Sequence, residues 1–174
     1  LKLPGLMTNP TARQAQLIQQ LCLVLHEQYA SDVEVIETHI STVLLVDELA
    51  FKIKKPVDFG FLNFTSLDKR EFFCKEELRL NRRLAPDYYL GIESITGTID
   101  NPKIEGPKNI PDDIPEEAIE YMVKMRRFDQ QGQLDNLLKL NQLDPRHISE
   151  LAKTIAKFHA SIDVASTQTH PGLV

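Results

Sequence analysis

Hydrophobic positions change their period more than once along this chain. In TNPTARQAQLIQQLCLVLHEQY, residues 8–29, Leu17, Leu21, Val24 and Leu25 recur every three or four positions, the spacing of one helix face. Asn9 stands where an N-cap accepts free amides, and Pro10 at the first helical position, where its missing N–H costs nothing. From Val33 to about Lys55 the period drops to two: VEVIET, STVLLV and LAFKIK are short and β-branched, and Asp47-Glu48 is turn-like. Two or three antiparallel strands are expected there. Helical spacing returns in SLDKREFFCKEELRLNRRL, residues 66–84, with Phe73, Glu77, Leu80 and Leu84 on one side and Pro86 past the end. That helix carries a carboxylate on its apolar side.

Farther on, YYLGIESITG reads as a strand, NPKIEGPKNIPDDIPEE as a hairpin loop or connector, and AIEYMVKMRRF as a further strand. QLDNLLKLNQL is a short helix and PRHISELAKTIAKFHASI a longer one, with Ile148, Leu151, Ile155, Phe158 and Ile162 inward. The last residues, 163–174, have no pattern and read as a linker or disordered tail. The predicted class is α+β.

With 42% hydrophobic and 26% charged residues in 174, the chain has material for an ordinary core. Its net charge of -5 argues against a general binder of nucleic acid or anionic membranes. The basic residues Lys54, Lys55, Arg82, Arg83, Arg126 and Arg127 lack the interleaved aromatics of a single-strand platform. Two cysteines, Cys22 and Cys74, make no disulfide framework, and no apolar run or leader pattern marks a membrane span or signal peptide. A cytoplasmic protein is expected. Strand alternation places Ala50, Lys52 and Lys54 on one face, Phe51 and Ile53 on the other, with Lys55 pointing away. His39 and His159 have no metal-binding company in the sequence and read as structural.

The runs ETHISTVLL, AFKIKKPVDFGFLNFTSL, EELRLNRRLAPDYYLG, EYMVKMRRF and LAKTIAKFHA together resemble the amino-terminal part of the bacterial aminoglycoside-phosphotransferase-like proteins. More narrowly, they resemble the subgroup in which a kinase-like domain precedes a P-loop ATP-binding domain. The resemblance covers about Glu37 to Ala160. It implies a protein-kinase-like N-lobe over residues 1–128, an antiparallel sheet with an αC-type helix behind an N-terminal helix, and a hinge at about 124–128. Residues 129–162 then begin a helical C-lobe. ATP is the implied cofactor, with magnesium in the full-length parent, and the implied partners are a small-molecule acceptor and the P-loop domain.

Under the resemblance Lys52 faces the ATP phosphates, with Lys54 as the alternative, and Glu77 orients the lysine, with Glu76 as the alternative. Ser41 and Thr42 offer hydroxyls in a phosphate-covering loop that has no glycine, and backbone groups near Met125, Arg126 and Arg127 meet the adenine edge. Asp58-Phe59-Gly60 imitates the magnesium tripeptide of protein kinases, but it follows the lysine strand directly, whereas that aspartate belongs to the other lobe. A structural or capping role for Asp58 is expected, with Gly60 turning the chain and the phenylalanines packing underneath.

The sequence holds neither the family's His-Gly-Asp catalytic loop nor a Gly-x-x-x-x-Gly-Lys-Ser/Thr motif. The chain therefore reads as a fragment carrying no catalytic residue or metal ligand of its own and transferring no phosphate alone. Its alternative role is a non-catalytic regulatory module for the P-loop domain. The apolar stripe of the last helix is expected to self-associate.

Overall fold

In a computed structural model, which describes residues 9–106 and 118–163, the chain is an α+β protein with a six-stranded antiparallel sheet and four α-helices. It divides into two compact units, residues 1–128 and 129–174. Within the described residues no helix is long and apolar enough to cross a membrane.

The first unit opens with α1 (Pro10–Tyr29), where the Asn9 carboxamide accepts from the Thr11 amide at 3.1 Å. Ala30, in the left-handed region at φ 50°, ends the helix. Strands β1 (Glu34–Glu37), β2 (Ser41–Val46) and β3 (Leu49–Lys54) form a meander, followed by α2 (Leu67–Asn81), capped by the Ser66 hydroxyl. Then come β4 (Tyr89–Thr98), β5 (Asn101–Glu105) and β6 (Glu120–Arg126), and the sheet order is β1-β2-β3-β6-β4-β5.

The alternation of β3 divides the unit into two cores. On one face, Leu44, Val46, Phe51, Ile53, Ile95 and Met122 bury against Leu17, Leu21 and Leu25 of α1. Each fully buried side chain of this size contributes roughly 1.5–3 kcal/mol of transfer free energy. On the other face Tyr121 and Val123 pack with Cys74 of α2 and with Leu67, Tyr89, Ile92 and Met125.

Three expectations need correction. The inward side of α2 is the Arg70–Cys74–Glu77 row: of the expected Phe73, Glu77, Leu80 and Leu84, Glu77 does face the sheet, but Leu80 and Leu84 are exposed and Cys74 is the fully buried member. The row is i, i+4, i+7, so it is a true helix face, but two of its three side chains are charged. The segment after β4 is not loop throughout, since Asn101–Glu105 pairs with Ser94–Thr98 as an edge strand. Pro102 is tolerated there because an edge strand needs fewer donors. The rest of that connector, 107–117, lies outside the described residues, as does the tail beyond 163.

The second unit holds a 3-10 turn (Gln130–Gly132), α3 (Leu134–Lys139) and α4 (Pro145–Ser161). Asp144 caps α4 by accepting from the Arg146 amide, while the His147 ring accepts from the Asp144 amide. The third correction falls here: Ile148, Leu151, Ile155 and Ile162 are exposed rather than inward. The described part of this unit contains no sheet for the stripe to cover.

Candidate functional site

Pairing of β2 with β3 sets Ser41 opposite Lys54, Val43 opposite Lys52 and Leu45 opposite Ala50. In the same way β6 sets Val123 beside Lys52 and Met125 beside Ala50, and β4 adds Tyr89 next to Met125. These residues share the sheet face that α2 covers. A small apolar floor of Ala50, Met125 and Tyr89 therefore adjoins the lysines.

Both lysines meet one carboxylate. Lys52 Nζ lies 2.8 Å from Glu77 Oε1, and Lys54 Nζ lies 2.6 Å from Glu77 Oε2. Side-chain exposure is 27% for Lys52, 5% for Lys54 and 11% for Glu77, so only Lys52 is appreciably open to solvent. Both lysines thus pair with Glu77, whereas half-buried Glu76 pairs with Arg79 at 2.7 Å. Burial pushes the Glu77 carboxyl up, but the two ammoniums outweigh it and hold the group below its ordinary value. Glu77 therefore stays ionised at neutral pH. Burial drives the Cys74 thiol up to about 12, which keeps it an inert neutral neighbour. Burial, followed by the Glu77 charge, also raises the Tyr89 phenol.

A second network fixes α2 from behind. Arg70 Nε donates to Glu120 Oε1 at 2.8 Å, and its Nη1 donates to the carbonyls of Phe64 and Thr65. Gln14 of α1 donates to Glu120 Oε2 and to the Lys54 carbonyl, both at 2.8 Å. The Lys54 ammonium sits 5.0 Å above the Phe64 ring. Gln14, Arg70, Tyr89 and Glu120 were missed by sequence reasoning. Arg70 alone left a signal, since it lies seven residues before Glu77 on the same helix face. A cleft of about 380 Å³ lined by Arg13, Gln14, Arg70 and Glu120 adjoins this second network and does not include Lys52 or Glu77.

The remaining expected site residues fare unequally. Ser41 lies on the lysine face, fully buried, and its Oγ has no hydrogen-bond partner among the described residues. Thr42 must be corrected: it lies opposite Ile53 on the α1 face, and its hydroxyl donates to Glu37 at 3.1 Å, away from the lysines. Both residues belong to β2, because the turn itself is shorter than expected. Thr38 closes that turn, its Oγ1 accepting from the Ser41 amide at 3.0 Å. Met125 lies on the lysine face, but the Arg126 amide donates to the Tyr88 carbonyl and the Arg127 amide to the Glu48 carbonyl, both at 2.8 Å. Those two N–H groups are thus already used within the unit. The Arg127 guanidinium binds Glu34 at 3.1 Å. Lys124, on the opposite face, is paired with buried Glu93 at 2.8 Å and belongs to the core.

Asp58 is a turn residue, accepting from the Gly60 amide at 2.8 Å and from the Asn63 side chain at 2.6 Å. Gly60 has φ 81°. Only Phe64 packs underneath, edge-on to Phe73 with ring centroids 5.0 Å apart. Phe59 and Phe61, expected to do the same, are exposed and stack on each other.

No protein-family model matches the chain, and no solved structure matches it significantly. Two uncharacterised proteins, one from Mycobacterium tuberculosis and one from Mycobacterium bovis, are each 31% identical to it over 127 residues, 73% of this chain. The chain spans 22% of the length of these relatives.

Proposed function

We propose that the first unit is the nucleotide-binding lobe of a kinase-like small-molecule phosphotransferase of the aminoglycoside-phosphotransferase-like type. In this reading Lys52 engages the phosphates of ATP and Glu77 orients Lys52. The observation that carries it is the 2.8 Å pair between a lysine on the third strand of an antiparallel sheet and a glutamate on the helix that follows that strand. Protein kinases use a pair in the same two places, and both partners must be set before transfer proceeds. The strand order supports the reading too, because β6 returns beside β3 and brings Met125 next to Ala50 as an apolar neighbour for a base.

Two ammoniums against one carboxylate suit a polyphosphate. Among the described residues no group of three His, Cys, Asp or Glu side chains is placed to hold a metal ion. The acceptor, the magnesium ligands and the reaction of the whole protein are proposed to belong to the rest of a longer parent. Calorimetric titration of the chain with ATP tests the reading. Binding that weakens at least about tenfold in Lys52→Met, with unchanged thermal unfolding, supports it. Absence of binding to the native chain sinks it.

One observation favours a second reading, a non-catalytic regulatory module for a P-loop domain. The β1–β2 turn is closed on itself by Thr38 and Ser41, through the Thr38 amide to the Ser41 carbonyl at 2.9 Å and the Ser41 amide to the Thr38 hydroxyl. Those amides are not free to cradle phosphate. Nucleotide binding without transfer by the full-length parent distinguishes this reading from the first.

A further inference from the structure

We propose that Lys54 is a positioning residue that sets the charge of the Lys52 site, an inference that rests on the nucleotide reading above. Glu77 has two oxygens and gives one to each lysine. Were Lys52 its sole partner, the pair would be neutral and a phosphate would have to compete with the carboxylate for the ammonium. With Lys54 holding Oε2, the three side chains carry a net charge of +1, and the open member is Lys52.

Among the described residues the neighbouring carboxylates are already paired. Glu120 is occupied by Arg70 and Gln14, and Glu76 by Arg79. Across the strand pair Lys54 meets only the Ser41 side chain, which is neutral and makes no hydrogen bond. Cys74 remains a thiol.

Burying Lys54 carries a desolvation cost that a methionine would avoid while filling similar space above Phe64. Packing alone therefore does not account for an ammonium at this position, and its placement on Glu77 Oε2 does. The same contact fixes the Glu77 rotamer from the buried side, so that Oε1 is presented to Lys52 before any ligand arrives.

Calorimetric titrations of the native chain, Lys54→Met and Lys54→Arg with ATP, ADP and adenosine test the proposal. In Lys54→Met, ATP affinity should fall about tenfold, ADP affinity by less, and adenosine affinity not at all, because the lost term is charge on charge. Lys54→Arg should recover most of the ATP affinity. A loss of the same factor for all three ligands would show a merely structural role and overturn the proposal, as would unchanged ATP affinity in Lys54→Met. Should Lys54→Met fail to fold by circular dichroism, inorganic tripolyphosphate decides on the native chain. Its displacement of ATP supports a site with spare positive charge, and failure to displace ATP at any concentration refutes it. A native chain that binds none of the three nucleosides and nucleotides removes the nucleotide reading itself. A native chain that binds ATP while Lys54→Met behaves alike removes only the role of Lys54.

Discussion

Glu77 is the shared counter-charge of two lysines, one of which has a side chain only 5% exposed. Replacing it with glutamine keeps the shape and leaves Lys54 buried without an anion, at a cost of about 3 kcal/mol. The pH dependence has a definite sign. The folded-state value of Glu77 lies below its ordinary 4.5, so its stabilisation is fully present above pH 4.5 and is lost as pH falls through the folded-state value. Urea midpoints of the native chain and Glu77→Gln should therefore differ most near neutral pH and converge on acidification. A gap that stays constant to about pH 3 would mean that the carboxylate charge is not what holds the lysines.

At the scale of elements, α2 attaches to the sheet through charged side chains where most helices use apolar ones. Arg70 and Glu77 flank Cys74 on its buried face, so hydrophobic periodicity pointed at Leu80 and Leu84 on the wrong side. The β4–β5 hairpin is pinned by backbone geometry. Gly97 has φ 81°, and a Cβ there would lie 2.7 Å from the Asn101 carbonyl oxygen, whereas Gly60 shares the φ but has open space around it. Gly97→Ala should lower stability by about 2–3 kcal/mol and Gly60→Ala by about 1 kcal/mol. Equal losses in thermal or urea unfolding would show that strain alone, without the clash, governs both turns.

For the molecule as a whole, the sequence contains Lys52 and Glu77 but no His-Gly-Asp loop. In the proposed reading Lys52 and Glu77 position a phosphate, whereas transfer also requires a group that orients the acceptor and one that holds magnesium. The purified 174-residue chain should therefore show no ATP hydrolysis or phosphotransfer above a Lys52→Met control in a coupled assay. Turnover that disappears in the control would place catalytic groups within these residues and revise the division of labour proposed for the parent.

The sequence by itself determined the features that depend on near neighbours. Asn9 and Pro10 announce α1, the β-branched runs announce β2 and β3, and alternation within LAFKIK separates Lys52 and Lys54 from Phe51 and Ile53. The Lys52–Glu77 pair was reached through the family resemblance, because the strand face bears two lysines and the helix two adjacent glutamates, so Lys54 and Glu76 stayed open as alternatives. Only the tertiary structure decided that Lys54 shares the same glutamate, that Thr42 turns to the α1 face, and that Gln14, Arg70 and Glu120 join α1, α2 and β6. It also decided that β6 enters between β3 and β4, although it is the last strand of the sheet in the chain. The physical reason is range. Periodicity and capping report which face a residue takes within its own element, while strand register and the partner of a buried charge depend on segments far apart in the chain.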